Sequence, residues 1–304
     1  MRPAAPQHIF AACSPGLEPA LARELAALGL EARAVPGGAE ARGLDAVALA
    51  CLGSRVADAV RLRVPRGGSR DAAGTPLFKR GWRARVGAAP LRESLAAGLL
   101  LELGYDGAMP FLDPMCGSGT IAIEAALLAA RRAPGLGRTF AFESWEGHDA
   151  GRTRAIRSRL AARARVPPAP VLASDRNGGA VRLAARNAAA AGMSDFVRIE
   201  RRDAADVVAP LGPGVCLVNP PYGVRLDTDV ESSWRALGAL LPRLGGWRVG
   251  LLAPASSAAR LARMLGQPVS EALEVQNGGV RTRLLVLEPE AGPGEAGRPG
   301  SSPP

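Results

Sequence analysis

The chain has 304 residues, 47% of them hydrophobic, and a formal net charge of +10. Length and apolar content exclude a disordered chain and suit one large domain plus a small one. No apolar run reaches the roughly eighteen residues that cross a bilayer, and the opening "MRPAAPQHIFAACSPG" is read as carrying no secretory signal.

Cys13, Cys51, Cys116 and Cys216 are scattered, with no C-x-x-C pair and no histidines at ligand spacing. They read as reduced thiols in a cytoplasmic protein, not as a disulfide or zinc framework. Lys79 is the sole lysine, so arginine supplies nearly all of the positive charge. That charge has two readings: an acidic partner, nucleic acid first among them, or a composition inherited from GC-rich coding.

Residues 8–64 read as a small α/β unit. "HIFAAC" predicts a strand and "SPGLEPALARELAALGL" a helix, with Ser14 at its N-cap, Pro15 at its first position and Gly29 past its end. "LDAVALACLGSRVADAVRLRV" predicts a helix running into a strand, and residues 65–76 a turn-rich linker. A basic, aromatic segment "LFKRGWRAR" precedes a helix "APLRESLAAGLLLEL" with Pro90 near its first turn. From Phe111 the pattern is strand, glycine-rich turn, helix, repeated: "FLDPMCGSGTIAIEAALLAARRA", "VLASDRNGGAVRLAARNAAAAG", "FVRIERRDAADV" and "GVCLVNPPYG". A helix from about Glu231, a strand "WRVGLLA", a helix "SSAARLARML" and a last strand "RTRLLVLEP" complete it. Alternating βα units predict a parallel sheet with helices on both faces. Residues 132–169 read as an insertion and 289–304 as a disordered tail.

Open α/β sheets bind ligands beyond the carboxyl ends of their strands. Those ends carry Asp113 with Gly117-Ser118-Gly119-Thr120, then Asp175, then Asp203, then Asn219-Pro220-Pro221-Tyr222. A glycine turn alone is common packing hardware, and each aspartate alone is a helix cap or a solvated turn residue. No lysine follows the glycines, so the turn is not a P-loop, and Asp113 beside it would repel a pyrophosphate. Asp113 suits a cationic amine, Asp175 ribose hydroxyls and Asp203 an adenine amine. In that order they describe S-adenosyl-L-methionine. In the same frame Asn219 Oδ1 and the Pro220 carbonyl are two acceptors at a rigid, donor-free corner. Two acceptors suit an NH₂ group made ready for attack, and Tyr222 suits stacking on its base.

These blocks resemble the S-adenosylmethionine-dependent guanine-N2 RNA methyltransferases, nearest the bacterial 23S rRNA enzymes and the tRNA enzymes that carry a THUMP domain. "LFKRGWR", "FAFESWEGHD" and "NGGVRTRLLVLE" continue the likeness over roughly residues 75–288. The resemblance implies a Rossmann-like class I methyltransferase domain over 77–288 behind an N-terminal ferredoxin-like subdomain, 1–64. It implies cofactor contacts at Asp113, Gly117, Ser118, Gly119, Thr120, Asp175, Asp203, Ala204 and Asn219, and amine-methyl transfer at Asn219, Pro220, Pro221 and Tyr222. Arg92 and Glu93 occupy a segment that in the family packs near the cofactor.

One departure concerns the substrate. Only about ten linker residues stand where the THUMP segment belongs, so RNA docking falls to Lys79–Arg85 and to arginines 152, 154, 157, 159, 163, 165 and 176. Their alternative is a solvated helix face. RNA, as rRNA or tRNA, is the expected partner, with no metal and no membrane. Adenine-N6 methylation of RNA or DNA, and a non-catalytic RNA-binding protein keeping the fold, stay open as alternatives. A nicotinamide oxidoreductase is disfavoured by Asp113.

Overall fold

A computed structural model describes residues 5–65, 67–83, 91–222 and 227–288. The first unit runs β1 (Gln7–Ala12), α1 (Glu18–Ala27), β2 (Glu31–Val35), β3 (Gly38–Gly43), α2 (Ala46–Gly53), β4 (Ala59–Val64) and β5 (Gly68–Asp71). Its antiparallel sheet has the order β2-β3-β1-β4-β5. Alternation along β1 and β4 buries Ile9, Ala11 and Val60 under the two helices, while Phe10 faces outward under the Arg63 guanidinium. The expected ferredoxin-like unit is present, extended by β5. That strand falls inside residues 65–76, read as a linker, and turns back on β4 with Arg61 opposite Asp71.

Ser14 is not the N-cap of α1. The helix starts at Glu18, and the Leu17 N–H donates to the Ser14 carbonyl. Gly16, at φ +92, makes the intervening turn, and a side chain there would meet the Glu274 carbonyl at 2.2 Å. The turn ahead of the helix thus packs closely on the other domain, and the Gly16 N–H donates to the Glu18 carboxylate at 2.7 Å.

The second unit begins with α3 (Glu93–Glu102); Pro90 lies outside the described residues. Then come β6 (Phe111–Asp113), α4 (Thr120–Ala129), α5 (Ala150–Ala161), β7 (Val171–Asp175), α6 (Gly178–Ala190), β8 (Val197–Arg201), β9 (Gly214–Val218), α7 (Asp227–Leu240), β10 (Trp247–Pro254), α8 (Ala258–Met264), β11 (Ser270–Asn277) and β12 (Val280–Leu287). The seven strands are ordered β11-β12-β10-β9-β6-β7-β8. β8 through β10 pair in parallel, whereas β12 is antiparallel to both its neighbours. The sheet is thus mixed at one edge, and β11 was not foreseen. β6, flanked by β7 and β9, is the point where the strand order reverses, the expected place for a ligand crevice.

Among the described residues no strand or helix stands between β5 and α3. The two units share one apolar core that runs from Ile9 to Val286. At their junction Glu124 of α4, fully buried, faces Arg80 Nε at 3.3 Å and Arg55 Nη1 at 3.8 Å. The insertion packs α5 on α2, with Arg152 paired to Asp45. Arg157 there donates to the carbonyls of Gly135, Leu136 and Arg138. No helix among the described residues is long and apolar enough to cross a membrane. The expected tail, 289–304, lies outside the described residues.

Candidate active site

Each strand end contributes through a local structural reason. Asp113, the last residue of β6, is 1% exposed and accepts the Met115 N–H through Oδ1 at 3.3 Å. The chain then turns through Cys116, whose N–H donates to Ser174 O, and Gly117, whose N–H donates to Asp175 Oδ2 at 2.9 Å. The carboxylate of the next strand therefore shapes the glycine turn. Gly119 is the N-cap of α4 at φ +83, and a Cβ there would sit 3.0 Å from that of Ala184 on α6. Left-handed backbone and close helix approach both require glycine. Ser118 O accepts from the Asn187 side chain at 2.9 Å, and Thr120 Oγ1 from Arg83 at 2.7 Å.

Asp175 also accepts the Asn177 N–H through Oδ1 at 2.8 Å. Asp203 accepts the Ala205 N–H at 3.0 Å, capping a short 3-10 turn that buries Ala204. At the end of β9, Pro220 is buried and Pro221 exposed. The Tyr222 hydroxyl receives a hydrogen bond from Asn277 Nδ2 at 2.5 Å.

These ends enclose a cavity of about 650 Å³ lined by Asp113, Gly117, Ser118, Thr120, Asp175, Asp203, Ala204 and the whole Asn219–Tyr222 corner. Gly119 stands behind it and lines nothing. Two acceptors on its wall are buried with no partner among the described residues, Asp113 Oδ2 and Asn219 Oδ1. They project from neighbouring strands, since β6 pairs with β9. Burial without a partner is costly for such groups, so the cavity is built for an occupant that brings N–H donors.

Burial drives the Asp113 carboxyl well above the ordinary carboxylate range, opposed by its Met115 hydrogen bond and aided by the Asp175 charge. Burial likewise pushes up the thiols of Cys116, which lines the cavity, and Cys216, favouring the protonated form of both. All four cysteines are free. Among the described residues no cluster of His, Cys, Asp or Glu is arranged to hold a metal.

Three expectations move. Arg92 turns away, pairing with Asp58 at 3.4 Å and lying over the Phe78 ring, and Leu91 lines the cavity in its place. Glu93 is buried against Arg83 at 3.4 Å. Arg80, in the basic segment read for RNA, is spent on Glu124. Sequence reasoning missed Asn277, whose only signal was its place before the glycine pair of "QNGGVRT".

A family model described as the RMKL-like methyltransferase domain matches residues 80–283. The chain belongs to that family. A second model, the RlmL ferredoxin-like domain, matches residues 8–61 of this methyltransferase, in line with the first sheet. Among solved structures, SMU.472 complexed with SAH is 22% identical with a TM-score of 0.85, covering 94% of this chain and 99% of its own. A predicted N6-adenine-specific DNA methylase from Listeria monocytogenes is 24% identical at a TM-score of 0.81, over 92% and 96% of the two chains. TrmN from Thermus thermophilus is 23% identical at 0.65, over 93% and 99%. At these identities the likeness is one of fold.

Proposed function

We propose that this methyltransferase acts in the cytoplasm on RNA, 23S rRNA or tRNA, and methylates the exocyclic N2 amine of a guanine. The observation that carries the reading is the buried, unpartnered Oδ1 of Asn219 beside the equally unpartnered Asp113 Oδ2. S-adenosyl-L-methionine is the methyl donor, and when bound it supplies an electrophilic sulfonium methyl group. SMU.472, which shares the fold, is complexed with SAH. Asp113 Oδ2 fits the cationic amine of that donor, Asp175 its ribose hydroxyls, and Asp203 with Ala204 its adenine. The turn from Gly117 to Thr120 lets it approach the backbone.

Asn219 Oδ1 and the Pro220 carbonyl accept the two N–H bonds of the target amine. That hold favours a pyramidal nitrogen and frees the lone pair otherwise delocalised into the base, aligning it for in-line attack. Tyr222 stacks on the base, its ring held by Asn277. No residue forms a covalent bond, in keeping with the protonated Cys116 thiol.

An adenine N6 amine presents the same two N–H bonds, and the fold relative from Listeria monocytogenes is described as N6-adenine-specific. Guanine N2 is favoured by the ordered sequence blocks that resemble the guanine-N2 enzymes. The test is nucleoside mass spectrometry of rRNA and tRNA from a strain lacking the protein, repeated after incubation with purified protein and S-adenosylmethionine. N2-methylguanosine should be missing and then restored. Restoration of N6-methyladenosine, or of nothing, overturns the reading.

A further inference from the structure

A second concavity lies outside the cofactor cavity. α7 begins soon after the Asn219 corner and α8 soon after β10, so the first turns of both stand at the carboxyl edge of the sheet. From there a groove of about 420 Å³ runs along the two helices, lined by Glu231 and Arg260 nearer that edge and by Arg235, Arg263 and Met264 further along. Glu231 faces Arg235 at 3.4 Å and Arg260 at 3.0 Å, and Arg263 has no hydrogen-bond or ion-pair partner among the described residues. The groove therefore holds three guanidiniums and one carboxylate, which pairs with two of them. The Arg235 and Arg260 side chains are 73% and 58% exposed, where ion pairs bind weakly and leave donors available. Arg176, on the wall of the cofactor cavity, donates to Ser232 of α7 at 3.3 Å, so guanidinium groups run from the cavity rim onto the helix that forms the groove.

The insertion arginines are placed differently. Arg152 ties the insertion to the start of α2, and Arg157 holds the insertion together. Arg165 donates to the Ala129 carbonyl at the end of α4, which is the opposite edge of the sheet from the site.

We propose that the α7–α8 groove is the docking track for the phosphodiester backbone of the RNA flanking the methylated nucleotide. The planar guanidinium fork matches phosphate oxygens in pairs, and the excess positive charge complements a polyanion. The proposal rests on the RNA reading of the site given above.

The experiment uses the full chain, with a short fluorescein-labelled single-stranded RNA followed by anisotropy from about 50 to 200 mM salt. The triple variant Arg235→Gln, Arg260→Gln, Arg263→Gln should bind about tenfold or more weakly at the lowest salt. Its plot of log K against log salt should be shallower by about 1.5–2, since each single-strand phosphate contact contributes about 0.7. The control Arg154→Gln, Arg159→Gln, Arg163→Gln on α5 should keep the wild-type slope. Calorimetric S-adenosylmethionine binding equal to wild type shows that each variant is folded. An unchanged slope in the groove variant overturns the proposal. If the slope falls but nucleoside analysis restores N6-methyladenosine, the groove stands and the guanine reading fails. If N2-methylguanosine is restored with an unchanged slope, the reverse holds.

Discussion

Asn219→Ala separates a structural corner from a catalytic one. In the unliganded protein Asn219 Oδ1 is buried with no donor, a condition that costs about 1–3 kcal/mol. Alanine removes that cost and gives up the packing of one amide group, so the net change is roughly zero to +1 kcal/mol of stability. At about 2–4 °C per kcal/mol the melting temperature should hold or rise by up to about 4 °C. Turnover should move the other way. An acceptor that engages the reacting amine only as charge develops is worth about 10²–10³ in rate, or about 2.7–4 kcal/mol. The Pro220 carbonyl remains and sets a residual rate. The assays are scanning calorimetry without ligand, titration with S-adenosylmethionine, and single-turnover methyl transfer to RNA. Expected are an unchanged or higher melting temperature, near wild-type cofactor affinity and a turnover loss of at least about a hundredfold. A melting temperature lower by more than about 4 °C with turnover near wild type would refute the reasoning, because Asn219 would then be a turn residue.

The Asp113 carboxyl, raised by burial, stays protonated in the empty folded protein above the ordinary value of 3.8 at which the unfolded chain ionises. The folded state then holds more protons, so stability is full below 3.8 and declines as pH rises toward the folded value. Asp113→Asn should flatten that decline in urea midpoints. It should also abolish the proton that wild type releases on binding a cationic amine, read by calorimetry in buffers of different ionisation heat; equal release in both proteins counts against the assigned role. Cys116→Ala should transfer methyl groups within about threefold of wild type, since a protonated thiol supplies no nucleophile, and a hundredfold loss would demand a covalent route. Asn277→Ala removes the donor to Tyr222, a bond worth about 1 kcal/mol. KM for RNA should rise about fivefold with kcat little changed, and Tyr222→Phe should cancel the effect in a double-mutant cycle. Glu124→Ala strands two buried guanidiniums and should cost about 3–5 kcal/mol in denaturant unfolding.

Much of the cavity edge was legible because the central strands β6 and β9 pass from an apolar run directly into a polar residue, as in "FLD" and "VCLVN". What stayed hidden depends on tertiary neighbours. The β2–β3 hairpin is alanine- and charge-rich, and β11 is exposed over most of its length, so neither shows the apolar alternation that marks a strand. The start of α1 lies beyond Ser14, after a turn at Gly16 that leaves no room for a side chain beside the Glu274 carbonyl, far away in sequence. Asn277 reaches Tyr222 across 55 positions, a pairing that no local pattern encodes. Arginine was the least legible residue type. Arg80 is core, Arg157 is a staple, and Arg235, Arg260 and Arg263 line a groove, yet all look alike in a chain with one lysine. The buried Arg55–Glu124–Arg80 group and the shared apolar core tie the first unit to the catalytic sheet. With no further folded unit between β5 and α3 among the described residues, the charged surface is carried on one tightly packed body. On such a body the role of a guanidinium follows from which edge of the sheet it occupies and what it already holds, not from how many arginines the sequence contains.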